Sequence, residues 1–246
     1  GMTLEEKFLD FNPKPLAAAS LGQVHLARID LPQVGNGSES SPSSKPYNVV
    51  VKVQRPHIEQ LIATDLAALK IVAHWLQKYQ PIRKRADVPQ LLEEFTKILY
   101  EEIDYLAEGR NAETFNQNFS DYPGVRVPKI IWSHTTKRAL TLENVVAIKI
   151  TDYQEITAAG IDRAQVASRL LDTYLKQIFE DGFFHADPHP GNLFVQPKTQ
   201  ADRQETRVNQ PWDLTFVDFG MVGHVPEKLR QSLRDLLIAV GTQDSA

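Results

Sequence analysis

The segment His-Ala-Asp-Pro-His-Pro-Gly-Asn, at residues 185–192, constrains the fold more than any other part of the sequence. It follows an amphipathic pattern that predicts a helix from Asp162 to Asp181, closed by Gly182. A short apolar segment typical of a strand comes directly after it, at residues 192–196. Two prolines and a glycine restrict the backbone in between. We therefore expect a rigid loop that presents several polar side chains.

A second polar signal lies downstream, where Asp218-Phe219-Gly220 ends the predicted strand at residues 214–219. Asp187 could accept a proton from a hydroxyl group or water, while Asn192 and Asp218 could bind a divalent cation. Phosphoryl transfer requires this combination, because its catalysis consists mostly of positioning and charge neutralisation. The alternative is a proline turn with a capping aspartate.

The segment AAASLGQV resembles a degenerate phosphate-binding loop. On the kinase pattern G-x-G-x-x-G-x-V, the fixed positions fall on Ala17, Ala19, Gly22 and Val24. Small side chains still allow backbone groups to approach a phosphate, although alanine lacks the freedom of glycine at positive φ. Taken alone, the segment fits an ordinary strand–turn–strand equally well.

Lys52 lies in the segment V-V-V-K-V, which matches the V-A-I-K pattern of a phosphate-binding strand lysine. Because valines flank it, its charge needs an acidic or phosphate partner. A helical pattern from about residue 88 to 118, opened by Asp87, could supply the acid. Its stripe begins apolar and then becomes acidic, through Leu91, Phe95, Ile98, Glu102, Tyr105 and Glu108. Alternatively, the stripe drifts and both glutamates are solvated.

The remaining patterns predict an α+β protein with two lobes that meet near residues 143–150. Segments 31–46 and 197–211 are polar or rich in Ser, Gly and Pro, and we interpret them as loops inserted between strands. Further strands are expected at 16–29 and 47–54, a hairpin at 125–132 with 138–143, and helices at 57–80 and after Pro226.

Composition excludes several classes of protein. The chain has 27 Lys and Arg against 31 Asp and Glu, which argues against a nucleic-acid partner bound by bulk electrostatics. Cysteine is absent, so disulfide scaffolds, thiolate zinc sites and cysteine nucleophiles are excluded. No apolar run approaches the roughly 18 residues of a membrane span. We expect this chain to be soluble.

The motifs A-A-A-S-L-G-Q-V-H, V-V-V-K-V-Q-R-P, E-I-D-Y-L-A-E-G-R-N, H-A-D-P-H-P-G-N and V-D-F-G together resemble those of the UbiB/aarF-domain (ADCK-type) family of atypical protein-kinase-like proteins. The resemblance spans residue 14 to about 240. It implies a kinase-like fold with a β-rich N-lobe over residues 1–142, which includes a long helix, and a partial helical C-lobe over residues 143–246.

The same resemblance implies ATP and Mg²⁺ as cofactors and assigns roles to individual residues. Asp187 would be the catalytic acid–base group, Lys52 the ATP lysine and Glu108 its partner, while Glu102 and Asp104 form the family's E-x-D motif. Asn192 and Asp218 would bind the metal. The nucleotide would be bound by the alanine-rich loop, the lysine and the hinge, namely Ala17, Ala18, Ala19, Ser20, Gly22, Val24, Lys52, Glu143 and Val145.

Two departures from the family pattern lead us to expect a fragment. The family's K-x-G-Q motif is absent, and the chain ends about 26 residues after Gly220. The resemblance implies an ATPase or small-molecule or lipid kinase that supports prenylquinone (ubiquinone-type) biosynthesis. Lipid or prenylquinone intermediates, or a biosynthetic complex at a membrane, are the partners it suggests. The intact protein would be cytoplasmic or organellar and membrane-associated.

Two other functions compete with the enzyme. A metal-dependent hydrolase could use His185, Asp187 and His189 as ligands, because alternate residues of an extended loop can converge on one ion. That interpretation leaves Lys52 and Asp218 unexplained, and hydrogen bonds that brace the loop are the simpler role for both histidines. A non-catalytic scaffold switched by nucleotide would need the same residues as the enzyme.

Overall fold

A computed structural model of the chain describes residues 3–18, 21–30, 46–198 and 211–242. The chain divides into two compact units. The first unit comprises Gly1–Ala107 and Ile130–Asn144, and the second comprises Glu108–Lys129 and Val145–Ala246. Helices and antiparallel strands occur in both, which confirms the α+β class. The division into lobes at residue 142 stays a prediction.

The strands within the described residues are short, apart from two of nine residues each. They are β1 Asp10–Phe11, β2 Ala17–Ala18, β3 Gly22–Asp30, β4 Pro46–Gln54, β5 Val125–Arg126, β6 Ala139–Glu143, β7 Ile148–Lys149, β8 Phe183–His185, β9 Leu193–Pro197, β10 Trp212–Phe216 and β11 Val222–His224.

The α-helices within the described residues range from one turn to almost six turns. They are α1 Leu4–Lys7, α2 Ile58–Lys78, α3 Gln80–Arg83, α4 Val88–Glu102, α5 Tyr105–Asn118, α6 Tyr153–Ala158, α7 Arg163–Lys176 and α8 Glu227–Thr242. The structure thus confirms the helices predicted at 57–80 and after Pro226. Within the parts of the chain that the structure describes, no helix is both long and apolar enough to span a membrane.

The first unit is built on a sheet in the order β1-β3-β4-β6, with β2 paired to β3. β3 and β4 pair along their full length, from Gly22 opposite Gln54 to Asp30 opposite Pro46. Alternate side chains of the two strands point to one face and form a core, because successive residues of a strand face opposite sides. Its buried members are Ala27, Ile29, Val49, Val51 and Ile131.

The apolar beginning of the stripe predicted after Asp87 is wrong, whereas Tyr105 and Glu108 at its end are buried. Leu91, Phe95 and Ile98 are exposed, whereas Leu92 and Leu99 pack against a buried cluster formed by α2 and the residue after α4. The buried members of that cluster are Ile58, Ile62, Leu66 and Ile103. The neighbouring leucines follow the same helical period one residue later, so periodicity alone did not identify the inward face.

The single helix predicted from 88 to 118 is also wrong, because the chain breaks between α4 and α5. Ile103 is buried at the end of α4. Asp104 then begins the next helix, and its Oδ1 accepts hydrogen bonds from the backbone N–H groups of Leu106 and Ala107, at 3.1 and 3.0 Å. An aspartate at this position satisfies free N–H groups of the first turn, which stabilises a new helix start.

The second unit contains a sheet in the order β5-β10-β9-β7 and a two-stranded pair of β8 with β11. β9 and β10 form the antiparallel pair expected on either side of the polar segment. The predicted hairpin of 125–132 with 138–143 is confirmed only in part. Ile130 and Leu142 form an antiparallel bridge, whereas β5 pairs in parallel with β10 and β6 also pairs with β4. Aromatic rings pack in the core of the second unit. The ring centroid of Phe115 lies 5.1 Å from those of Phe216 and Phe219.

Both predicted insertions lie between paired strands. The first follows Asp30 and precedes Pro46, which are opposite each other in the β3–β4 ladder. The second follows Lys198, whose N–H donates to the carbonyl of Pro211 at 2.9 Å. Residues 31–45 and 199–210, which form most of the two insertions, lie outside the described residues.

Gly22→Ala should lower the free energy of unfolding by about 1–3 kcal/mol, the usual cost of overpacking a filled interior. A Cβ at this position would lie 2.5 Å from the carbonyl oxygen of Val53 and 2.7 Å from Oη of Tyr105. Urea denaturation without nucleotide measures the effect. Gly241→Ala is the matched control, because nothing lies within 4 Å of its added Cβ and alanine favours a helix. Equal stability of the two variants would contradict the packing role of Gly22.

Candidate active site

The loop between β8 and β9 is organised around the side chain of Asp187. Nδ2 of Asn192 donates a hydrogen bond to Oδ2 of Asp187 at 2.7 Å, and the backbone N–H of His189 donates to Oδ1 at 3.3 Å. A short 3₁₀ turn, Pro190–Asn192, brings Asn192 back towards Asp187. The loop predicted between the helix and the strand is therefore observed, while its rigidity stays a prediction.

Asp218 follows β10 in a strained backbone conformation, with φ of 64°. Aspartate is one of the few residues other than glycine that tolerates this left-handed region. The N–H of Val217 donates to the carbonyl of Asn192 at 3.0 Å, which fixes the chain before Asp218 beside the loop. The N–H of Gly220 donates to Oδ1 of Asp218 at 3.4 Å. The structure therefore brings Asp187, Asn192 and Asp218 to one end of β9 and β10.

His185 joins the loop to Asp218. Its side chain is fully buried, and Nε2 lies 2.8 Å from the carbonyl oxygen of Asp218 and 3.3 Å from that of Val217. Since both partners are acceptors, Nε2 carries the hydrogen. The imidazole packs edge-on against Phe219 at 5.2 Å between ring centroids. The bracing role expected for His185 is confirmed.

The geometry of the two histidines does not support the hydrolase interpretation. His185 uses Nε2 for backbone carbonyls, and Nδ1 of His189 accepts a hydrogen bond from the N–H of Gly191 at 3.0 Å. One ring nitrogen of each histidine is thus used by a separate backbone partner. Among the described residues, no group of three or more His, Cys, Asp or Glu side chains could bind a metal ion.

The sequence did not predict two residues that support the site, Gln177 and Asn111. Oε1 of Gln177 accepts a hydrogen bond from the backbone N–H of His185 at 2.8 Å, and Gln177 is fully buried. It begins a five-residue π-helix, Gln177–Asp181, that continues α7 to the predicted end of the helix. Nδ2 of Asn111 donates to the carbonyl of Phe219 at 3.0 Å. The sequence feature that could have indicated burial of Gln177 is its helical spacing from Val166 and Thr173, which are buried.

The donor set fits a magnesium ion. Mg²⁺ takes oxygen ligands and in nucleotide sites uses one or two carboxylates together with phosphates. Asp218 offers a carboxylate, and because Nδ2 of Asn192 faces Asp187, the amide oxygen of Asn192 remains available as a ligand. The residues present therefore suit a magnesium–nucleotide complex better than an all-protein metal cage.

In the first unit, Lys52 lies in β4, between Val24 of β3 and Leu140 of β6 in the sheet register. The residue is only 7% exposed, and Nζ lies 5.2 Å from the ring centroid of Tyr105. A cation over an aromatic face is partly compensated for the loss of water. The strand position expected for Lys52 is thus observed, while its nucleotide role stays a prediction.

The alanine-rich segment begins as a strand. Ala17 and Ala18 form β2, opposite Val24 and Gln23 of β3, and both alanines are exposed. Ala19 and Ser20 lie outside the described residues. Gly22 is buried beneath Tyr105. The glycine therefore has a packing role, whatever it contributes to nucleotide binding.

The remaining candidates fall in different places. Glu143 ends β6 opposite Val49, and Val145 follows two residues later in the second unit. Glu102 is half-buried at the end of α4. Glu108 is 3% exposed and belongs to the second unit, whereas Lys52 belongs to the first. Their pairing stays a prediction.

Tyr174, on the last turn of α7, has an altered acidity. Burial, and to a smaller extent the negative charge of Asp187, raise the pKa of Tyr174 to about 12. Both causes disfavour the phenolate. The Asp187 contribution places this tyrosine within electrostatic range of the loop carboxylate.

A family model described as the ABC1 atypical kinase-like domain matches residues 1–246. The protein ACTIVITY OF BC1 COMPLEX KINASE 8, chloroplastic, of Arabidopsis thaliana is 39% identical over 246 residues, covering 99% of this chain and 29% of that protein. Probable protein kinase UbiB of Marinobacter nauticus is 33% identical over 238 residues, covering 96% of this chain and 39% of that protein.

A solved structure, the complex of Rv3197 with erythromycin from Mycobacterium tuberculosis, matches with a TM-score of 0.64 and 25% sequence identity. The match covers 97% of this chain and 55% of that one. The chain thus spans well under half of the length of both curated relatives. These similarities confirm the kinase-like fold and the family resemblance drawn from the motifs.

Raising the pH from about 10 to about 12 should remove a contribution of Tyr174 to stability. The folded pKa of Tyr174, about 12, exceeds the ordinary value of 10.0. Its stabilisation is therefore complete below pH 10 and is lost as the pH rises through 12. The unfolding free energy of the wild type should fall relative to that of Tyr174→Phe over this range. A constant difference between the two would contradict the raised pKa.

Proposed function

Because this chain belongs to the ABC1 atypical kinase-like family, we propose that it binds ATP with Mg²⁺ and transfers the terminal phosphoryl group. The acceptor would be water, as in an ATPase, or a hydroxyl group of a small molecule or lipid. The observation that supports this proposal best is the hydrogen bond between Asp187 and Asn192, close to the end of β10 where Asp218 adopts its left-handed conformation.

In this proposal, Asp187 orients the acceptor and accepts its proton. The acceptor oxygen forms a bond to the γ-phosphorus, the bond to the bridging oxygen breaks, and ADP leaves with the bonding electrons. Asn192 would keep the Asp187 carboxylate in one orientation through the 2.7 Å hydrogen bond. Asp218 and the amide oxygen of Asn192 would bind Mg²⁺, which neutralises negative charge on the phosphates.

Residues of the first unit would bind the nucleotide. Lys52 would pair with phosphate oxygens, since a buried ammonium group gains from a charged partner. The pairing of Lys52 with Glu108 rests on the sequence pattern alone. The alanine-rich loop, including Ala19, would cover the phosphates, and the backbone near Glu143 and Val145 would meet adenine.

The biological role is proposed from the family resemblance. We infer that the intact protein supports prenylquinone biosynthesis at a membrane, with lipid or prenylquinone intermediates or a biosynthetic complex as partners. A non-catalytic scaffold that responds to nucleotide would use the same residues. Phosphate release separates the two functions, because a scaffold binds nucleotide without turnover.

Asp218→Asn should abolish the Mg²⁺-dependent part of nucleotide stabilisation while preserving the fold. The change removes the charge of a metal ligand, yet asparagine also tolerates a positive φ. The measurement is the melting temperature with ATP, with and without Mg²⁺, followed by phosphate release over time. Asp235→Asn on the exposed surface of α8 is the control. A wild-type Mg²⁺-dependent shift in Asp218→Asn would exclude Asp218 as a ligand.

Lys52→Met should weaken ADP binding, and Glu108→Gln should weaken it less. If the two side chains act together, their double-mutant cycle should show a coupling of about 0.5–3 kcal/mol. Calorimetric titration with ADP and Mg²⁺ provides the four affinities. Lys149→Met, at an exposed strand position, controls for the loss of one positive charge. Strict additivity would disprove the pairing and return Glu102 to consideration.

A further inference from the structure

Three buried polar side-chain atoms of the second unit lack a hydrogen-bond partner among the described residues. They are Oη of Tyr174, Nε2 of Gln177 and Nδ1 of His185. The rings of Tyr174 and His185 lie 6.1 and 5.6 Å from that of Phe216, between centroids. Burial of polar atoms without partners is costly, so each of the three requires an explanation.

The connections between these side chains place the three residues in one region. Tyr174 and Gln177 are three residues apart, which puts them on the same helix face. Gln177 and His185 are both fully buried. They are already joined, because Oε1 of Gln177 accepts the N–H of His185 at 2.8 Å. Nε2 of Gln177 shares a carbon atom with that Oε1, so it lies close to His185 as well.

The hydrogen-bonding capacities of the three atoms are complementary to those of one water molecule. Nε2 of Gln177 can only donate. A hydrogen on Nε2 of His185, required by the carbonyl oxygens of Val217 and Asp218, leaves Nδ1 as an acceptor. Oη of Tyr174 can donate or accept. A buried water typically makes about three hydrogen bonds to such groups.

We propose that Tyr174, Gln177 and His185 bind one buried water molecule, and that this cluster positions Asp218. The water accepts a hydrogen bond from Nε2 of Gln177 and donates one to Nδ1 of His185. Its third hydrogen bond is to Oη of Tyr174, which can act as donor or acceptor. His185 is then fixed at its backbone N–H, at Nδ1 and at Nε2, and Nε2 fixes the carbonyl of Asp218. Gln177 is a positioning residue, because it acts on the proposed metal ligand only through His185.

The first test removes both polar atoms of Gln177. Gln177→Met is close in length but apolar, and Gln117→Met on the exposed surface of α5 is the matched control. In the full chain, water-¹⁷O relaxation dispersion should count one long-lived internal water fewer in Gln177→Met. The amide hydrogen of His185 should exchange at least about tenfold faster, while the amides of β9 keep their protection. Unchanged exchange and an unchanged water count would overturn the proposal.

The second readout concerns the metal and rests on the proposed function. With ADP as the probe, Gln177→Met should raise the Mg²⁺ concentration at half-saturation by about tenfold, which corresponds to about 1.4 kcal/mol. The affinity for ADP without metal should stay the same. A general loss of stability would lower both affinities, which would contradict a positioning role. If the wild type shows no Mg²⁺-dependent ADP binding, the proposed function fails, whereas the exchange of the His185 amide still tests the cluster.

Tyr174→Phe tests the cluster with a smaller change, in case Gln177→Met does not fold. The variant removes one of the three partners of the water and preserves the bond between Gln177 and the His185 N–H. The residence time of the water should shorten, and the protection of the His185 amide should stay at the wild-type level. An unchanged residence time, or a direct hydrogen bond between Gln177 Nε2 and His185 Nδ1 in an experimental structure, would refute the water site.

Discussion

The hydrogen bond from His185 to the carbonyl oxygen of Asp218 is the interaction on which the candidate active site depends. It joins β8 to the end of β10, at 2.8 Å and beneath the surface. The left-handed conformation of Asp218 is costly, so it persists only where surrounding groups determine it. The hydrogen bond from the Val217 N–H to the carbonyl of Asn192 fixes the residue that precedes Asp218. Together these bonds orient a carboxylate that could not hold this position on an isolated strand.

The two units use different physical means to place their candidate residues. In the first unit, Lys52 is placed by the regular ladder of β4 between β3 and β6. Its burial is made tolerable in part by the aromatic face of Tyr105. In the second unit, loop residues such as Asp187 are placed by hydrogen bonds between side chains and backbone. The position of a residue in a paired strand is determined by the strand register. The position of a loop residue depends instead on each individual hydrogen bond.

This difference explains how much the sequence could predict. The strand of Lys52, the hairpin of β9 and β10, and the turn of the loop at Asp187 followed from period-two patterns and from proline and glycine. The break at Asp104 was missed, because an aspartate that caps a new helix also fits inside a longer amphipathic pattern. The partner of β5 was missed, since a two-residue strand carries almost no pattern. Gln177 was missed because its partner, the His185 N–H, is a backbone group.

The π-helix that contains Gln177 accounts for how one helix can serve both packing and the site. Val166, Thr173 and Gln177 follow the α-helical period and are all buried, so the inner face of α7 continues to Gln177. A wider π turn then carries the chain to Gly182, whose φ of 63° ends the helix. The last carbonyl groups of a helix have no hydrogen-bond partner within the helix itself. Arg230 and Arg234 of α8 donate to the carbonyls of Glu180 and Phe179. Residues of α8 thus satisfy the end of the helix that leads into β8 and His185.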